Sequence, residues 1–251
     1  MNQRCGVQLA EDQRYLMDAR LALVAKTLNF ASVDDYVLTA CRPDATDTVT
    51  APLIDAMTTH ETSFFRDGVF WKALADLVLP RVVTPGLPLR IWSAACSTGQ
   101  EPYTLAMLIH ERFPQLAERT SIVATDISEG SLATARAGSF SVFEVNRGVT
   151  GPRLVRFFER DGLNFRVKAP LRNMISWAPH NLVTQSPPGA QFDLVLVRNV
   201  LIYFSEATRT QVLTKIRQAL RPNGCFAIGT SELISPSWGT SLAQGWYAPS
   251  R

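Results

Sequence analysis

No apolar run in this 251-residue chain reaches about 18 residues, the length a membrane-crossing helix needs, so no membrane span is expected. The opening residues Met1-Asn2-Gln3-Arg4-Cys5 lack the long apolar stretch of a secretory signal. Cysteine is scarce: Cys5, Cys41, Cys96 and Cys225 stand far apart, with no paired spacing of the kind that grips a metal. They read as four free thiols, which points to a reducing, cytoplasmic compartment. The three histidines, His60, His110 and His180, are isolated in sequence, so no metal site is expected. The G-x-G-x-x-G loop of dinucleotide binders is missing, as are internal repeats and low-complexity tracts.

What remains is an ordinary globular composition, 46% hydrophobic and 19% charged, in a chain long enough for a full α/β core and a small second domain. The net charge of +3 is unevenly spread. Residues 1–75 hold 7 Lys/Arg against 10 Asp/Glu, whereas residues 136–180 hold 8 against 3. A basic stretch favours an acidic partner or is simply a solvated face. Nucleic acid is not expected as that partner. The aromatics of the stretch (Phe140, Phe143, Phe157, Phe158 and Phe165) alternate with apolar residues and read as core, and no nucleic-acid module signature is present.

The first 75 residues read as helical. Leu16, Leu23, Val24 and Leu28 recur at helical spacing, Ser32 caps a second helix, and Pro52 opens a third through Met57. Val69, Phe70, Ala73, Leu74, Leu77 and Val78 form another apolar stripe. The Pro-rich stretch ending at Pro88 reads as a linker, residues 76–88. From Leu89 strands and helices alternate: strands at 89–93, 121–125, 174–178, 192–197 and 225–229, with helices at 101–112, 129–137 and 205–220 between them. Arg221-Pro222-Asn223-Gly224 ends the last helix, and Trp246-Tyr247-Ala248 supplies a short edge strand. Such alternation predicts an α/β domain over 89–251 with a doubly wound, mostly parallel sheet. Residues 139–173 break the rhythm and read as an inserted β-subdomain with a hairpin near Phe165.

The chemistry sits at the strand ends. Strand 89–93 runs into a turn of small residues, Ala94–Gly99, whose backbone at Ala95 and Gly99 can approach a ligand. A single glycine there, followed by Glu101 in the first helical turn, suits an amine-bearing ligand better than a phosphate. S-adenosylmethionine carries an α-amino group and a sulfonium and no phosphate. Asp126, at the next strand end, is placed for both ribose hydroxyls. Asn181 and the pair Arg198-Asn199 fall at the same edge, with Tyr203 four residues on.

Two stretches resemble the signature of the CheR-type chemotaxis receptor methyltransferases: Thr58-Thr59-His60-Glu61-Thr62-Ser63-Phe64-Phe65-Arg66-Asp67 and Ser93-Ala94-Ala95-Cys96-Ser97-Thr98-Gly99-Gln100-Glu101-Pro102-Tyr103. So do Ala124-Thr125-Asp126-Ile127-Ser128 and the run Arg198-Asn199-Val200-Leu201-Ile202-Tyr203-Phe204. The resemblance implies a class I S-adenosylmethionine methyltransferase fold with a helical N-terminal domain. It implies esterification of glutamate side chains on the cytoplasmic coiled coil of a chemoreceptor, with S-adenosylhomocysteine as co-product. By motif, it places His60, Thr62 and Arg66 over the cofactor, Glu101 at its amino-acid end and Asp126 at its ribose. Asn181, Leu182, Arg198 and Asn199 complete that site, while Arg66 and Tyr203 border the methyl-transfer point. His60 stands where the family usually has Asn. The stretch Phe158–Asn164 is short for the extension that grips a receptor-tail pentapeptide, so a pentapeptide-independent enzyme, acting as a monomer, is the expectation.

Overall fold

The computed structural model describes residues 5–6, 14–189 and 191–250. Its centre is a seven-stranded sheet: β1 (Leu89–Ala94), β2 (Thr120–Asp126), β6 (Ile175–Pro179), β7 (Phe192–Val197), β8 (Leu220–Ile228), β9 (Gly239–Ala243) and β10 (Trp246–Pro249), in the order β6-β2-β1-β7-β8-β10-β9. The first five strands in that order run parallel, and β10 and β9 close the sheet antiparallel. Every residue of β7 is buried, as a strand covered by helices on both faces must be. That burial includes Asp193, whose carboxylate accepts from the Arg90 amide at 2.7 Å and from Arg221 Nη1 at 2.7 Å. Strand order reverses between β1 and β7, so the connections that leave these two strands run to opposite sides and open a crevice at their carboxyl ends.

A second sheet of three antiparallel strands, β3 (Ser139–Phe140), β5 (Asn164–Val167) and β4 (Phe158–Asp161), forms within residues 139–173. Pairing of Asp161 with Asn164 leaves only Gly162 and Leu163 to turn the chain, and Gly162 takes the left-handed conformation the turn requires.

The helices follow local signals. Ser32, Ser128 and Ser205 cap the helices Val33–Ala40, Glu129–Ala137 and Glu206–Ala219 by accepting from the amide three residues on. Helix Arg14–Thr27 packs Leu21 and Ala25 with Tyr36, Ala40, Leu53 and Met57 into a core of its own. Helix Gly68–Ala73 continues through a π-helical turn, Leu74–Val78, into Leu79–Val82.

Several expectations are corrected. Leu23 is 73% exposed, and the helix turns Leu21 and Ala25 inward instead; the side chain of Leu16 lies outside the described residues. Helix Asp47–Met57 starts five residues before Pro52 and carries that proline inside, forgoing one backbone hydrogen bond. Val69 and Leu77 are exposed, while Phe70, Trp71, Leu74 and Val78 face the sheet. The stretch read as a linker is helical to Val82, with Val78, Leu79 and Val82 buried in the large core. Phe143 is 71% exposed, unlike Phe140, Phe157 and Phe158.

Arg221–Gly224 does not simply end a helix. Those residues bulge out of β8, between the pairings Phe192↔Leu220 and Leu194↔Cys225. Nor is β10 the edge strand: it lies between β8 and β9. Trp246, fully buried, stacks on Phe70 at 4.6 Å and donates from Nε1 to the Phe70 carbonyl at 3.2 Å.

Candidate functional site

A cavity of about 250 Å³ opens at the carboxyl ends of β1, β2, β6 and β7, roofed by the segment Met57–Arg66. His60, Thr62, Arg66, Ala95, Glu101, Asp126, Asn181, Leu182, Arg198, Asn199 and Tyr203 all line it. Of the residues singled out from the sequence, Gly99 alone does not. It has φ +95° at the start of helix Gln100–Arg112, and a Cβ there would meet Ala135 Cβ at 2.9 Å and Trp177 at 3.0 Å. Its role is close packing of helix on strand.

Glu101 sits at the mouth of β1. Its Oε1 accepts from Ser93 Oγ at 2.8 Å and its Oε2 from Arg198 Nη1 at 3.0 Å. Arg198 is 3% exposed at its side chain, lies over the Phe70 ring at 4.0 Å, and also donates from Nη2 to Asp67 Oδ2 at 2.6 Å. The arginine therefore acts as a strut between two carboxylates. It carries the roof segment through Asp67 and aims Glu101 into the cavity.

Asp126 closes β2. Its Oδ2 accepts from the Ser97 amide at 2.7 Å and its Oδ1 from the Ser128 amide at 2.9 Å. Burial pushes the carboxyl up from its usual range, and the amides of Ser128 and Ser97 pull it partly back. Each oxygen keeps a lone pair for a further donor, which suits a vicinal diol.

The loop between β1 and its helix and the loop after β7 hold non-glycine residues in the left-handed region: Ala95 (φ 54°), Ser97 (φ 52°) and Asn199 (φ 58°). Phe65 and Asp67 of the roof do the same, at φ 50° and 64°. Such backbone persists only where surrounding bonds over-determine it.

At Asn199 those bonds come from Glu232, a buried carboxylate the sequence reading missed. It accepts from the amides of Asn199 (2.9 Å), Ile202 (3.1 Å) and Gly229 (2.6 Å). Glu232 lies just beyond the apolar end of β8, so the strand-end reasoning applied to β1, β2 and β7 would have found it.

The roof is tied down along its length. Ser97 Oγ donates to the His60 carbonyl at 2.8 Å. His60 Nε2 lies 3.0 Å from the Asp55 carbonyl, which can only accept, so Nε2 donates there, and Nδ1 is paired with Ser131 Oγ at 3.0 Å. Both ring nitrogens thus face protein, and His60 fastens the roof to helix Glu129–Ala137. Asp55 also accepts from Ser128 Oγ.

Phe64 plugs into the small sheet, edge-on to Phe140 at 5.0 Å and Phe158 at 5.6 Å. Phe65 is capped by the Arg153 guanidinium at 3.7 Å and donates its amide to Thr104 Oγ1 at 3.1 Å. The two phenylalanines of the motif are anchors, and they leave Arg66 at the cavity wall. Among the described residues Arg66 forms no ion pair; its Nη1 donates to the Glu61 carbonyl at 3.2 Å. Tyr203, in the turn Leu201–Tyr203, makes no hydrogen bond through its hydroxyl among the described residues.

The donor set is chemically specific. Two carboxylates, Glu101 and Asp126, line the cavity and disfavour a phosphate there. A ligand carrying an ammonium at one end and a diol at the other fits it. Cys96, within the turn, is buried, and burial, then the nearby Asp126 and Glu101, push its thiol pKa up.

The family model described as CheR methyltransferase, SAM binding domain, matches residues 60–246. A chemotaxis protein methyltransferase of Vibrio parahaemolyticus is 36% identical over 239 residues, covering 94% of this chain and 86% of its own. Chemotaxis protein methyltransferase 1 of Pseudomonas aeruginosa is 36% identical over 244 residues, covering 94% and 88%. The chemotaxis protein methyltransferase of Escherichia coli is 32% identical over 240 residues, covering 93% and 81%.

Proposed function

This chain belongs to the CheR methyltransferase family and is an S-adenosylmethionine-dependent methyltransferase; from that premise we propose that it esterifies glutamate side chains on the cytoplasmic coiled coil of a chemoreceptor, giving glutamate 5-O-methyl esters. The observation that carries the reading is Arg66. It is a guanidinium that forms no ion pair among the described residues, held at the wall of the cavity that Glu101 and Asp126 line.

When bound, the cofactor supplies an electrophilic methyl group on its sulfonium. Glu101, fixed by Ser93 and Arg198, faces the ammonium of its amino-acid end. Asp126 accepts from the ribose hydroxyls. Arg66 receives the acceptor carboxylate by a forked pair of hydrogen bonds and sets its direction of approach. A glutamate is already ionised at neutral pH, so its attack on the methyl group needs no general base. Tyr203 narrows the opening at which the two reactants meet.

The two-residue turn at Gly162-Leu163 supports pentapeptide independence, because it leaves no extension on the small sheet to grip a receptor tail. Calorimetry with such a pentapeptide is expected to show no binding; tight binding would overturn this part of the reading. A monomer in the cytoplasm fits the proposal, and no described helix is long and apolar enough to cross a membrane. The principal test is transfer of radiolabelled methyl to receptor-containing membranes. Label released as methanol by base is the expected result. Cofactor binding without base-labile label on any receptor would move the acceptor to another class of molecule.

A further inference from the structure

His180 stands immediately after β6, at the cavity, and has no part in the site described so far. Its side chain is buried with the residue 9% exposed, yet it lines the cavity. Its backbone amide donates to the Asp126 carbonyl at 2.8 Å, which fixes it one strand beyond the acid that faces the ribose. The ring packs edge-on to Trp92 at 5.6 Å, and Trp92 is itself held by Thr125 Oγ1 at 2.9 Å. Among the described residues neither ring nitrogen makes a hydrogen bond. Both nitrogens therefore keep their hydrogen-bonding capacity for a ligand that enters the cavity.

The sheet order says which part of the ligand that is. Across the strand ends the sequence is β7, β1, β2, β6. Arg198 and Tyr203 follow β7, Glu101 follows β1, Asp126 ends β2, and His180 follows β6. A cofactor with its amino group at Glu101 and its ribose at Asp126 extends its base toward β6. The loop there is tied by side-chain hydrogen bonds. Lys215 Nζ donates to the carbonyls of Leu182 (3.2 Å), Val183 (2.6 Å) and Gln185 (2.8 Å), and Asn181 Oδ1 accepts from the Val183 amide at 2.9 Å.

We propose that His180 is a further cofactor-binding residue, whose imidazole hydrogen-bonds the nucleoside half of S-adenosylmethionine. Burial, and then the Lys215 ammonium, oppose protonation of the ring. The ring therefore offers one donor and one acceptor, the pairing that a nucleobase edge can meet.

The test is calorimetric, on the whole chain, with two probes: S-adenosylhomocysteine, and 5′-methylthioadenosine, which lacks the amino-acid end. His180→Phe keeps a ring against Trp92 and removes both nitrogens. It is expected to weaken both probes by about tenfold, the scale of one lost hydrogen bond. His180→Gln, which keeps a donor and an acceptor, is expected to lose less, and it serves as the test variant if the phenylalanine variant does not melt cooperatively. Glu101→Gln is expected to weaken S-adenosylhomocysteine alone.

Unchanged affinity of His180→Phe for both probes would overturn the proposal and leave the ring as packing. Loss for S-adenosylhomocysteine alone would overturn the assignment to the nucleoside half. Absence of binding by the unsubstituted chain would overturn the cofactor site as a whole, a different result from either.

Discussion

Arg198 and Glu101, 97 residues apart, meet in a buried ion pair, Nη1 to Oε2 at 3.0 Å, beneath the roof of the cavity. The same guanidinium reaches Asp67, so the group that orients Glu101 also holds the roof down. One side chain thereby couples the orientation of Glu101 in the cavity to the position of the segment that carries Arg66.

Removing this strut leaves two carboxylates facing each other with no cation between them. Arg198→Met is expected to cost about 3 kcal/mol in stability, the usual penalty for breaking a buried pair from one side. S-adenosylhomocysteine affinity is expected to fall with it. Arg198→Lys keeps the charge but cannot fork to both partners, and is expected to recover only part of either loss. Urea unfolding and calorimetry on the two variants check this; a lysine variant equal to the parent would sink the bridging role.

Arg66→Lys separates charge from geometry in the methyl-transfer role proposed for Arg66. It is expected to lower turnover on the order of 10²-fold, the scale of a small misplacement of a reacting group, with the melting temperature unchanged. Tyr203→Phe is expected to keep most of the turnover if the ring alone shapes the opening. A methyl-transfer assay with a melting curve for each variant decides both points.

Gly148 tests whether the inserted subdomain supports the roof. It has φ +126°, and a Cβ there would lie 1.8 Å from the Phe64 carbonyl oxygen. Gly148→Ala must push back the Phe64 anchor, and is expected to cost about 1–3 kcal/mol by overcrowding. Turnover is expected to fall more than cofactor affinity, because the displaced residues lead directly to Arg66. A variant as stable and active as the parent would show that the roof moves freely over the subdomain.

Acid should loosen the fold through two histidines. Burial lowers His180 and His110 below the ordinary 6.5, with Lys215 and Arg156 adding to the effect. As pH falls below about 6.5 the unfolded chain takes up these protons before the folded one does, so stability drops with pH in that window and is undiminished above it. His180→Phe removes one of the two contributions. Urea unfolding at about pH 5.5 and about pH 7.5 should show a smaller difference for that variant than for the parent; an equal difference would count against the shift at His180.

Much of the site was legible because a parallel sheet places its ligands at strand ends. Strand ends can be read from where an apolar run stops at a polar residue. Asp126 and Arg198-Asn199 announced themselves in this way. The same rule, carried one strand further, would have reached His180 after β6 and Glu232 after β8. The signature with Phe64 and Phe65 was recognisable, but the partners that make its rings anchors lie far along the chain: Phe140 and Phe158 for one, Arg153 for the other. His60 stood within the motif, and yet its bonds to Asp55 and Ser131 show it fastening the roof.

By itself the sequence determined the local periods, the capping serines, the alternation of strand and helix, and the residue types at the strand ends. These depend on backbone preference and on spacing of 2 or 3.6 residues, which neighbours in the chain set between them. The tertiary structure decided which face of each stripe is buried, hence Leu21 inward and Leu23 outward. It also placed Trp246 inside the sheet, on Phe70, and opposed Arg198 to both Glu101 and Asp67. Those outcomes rest on contacts between segments up to 176 residues apart, where packing and charge pairing act through space and leave no periodic trace in the chain.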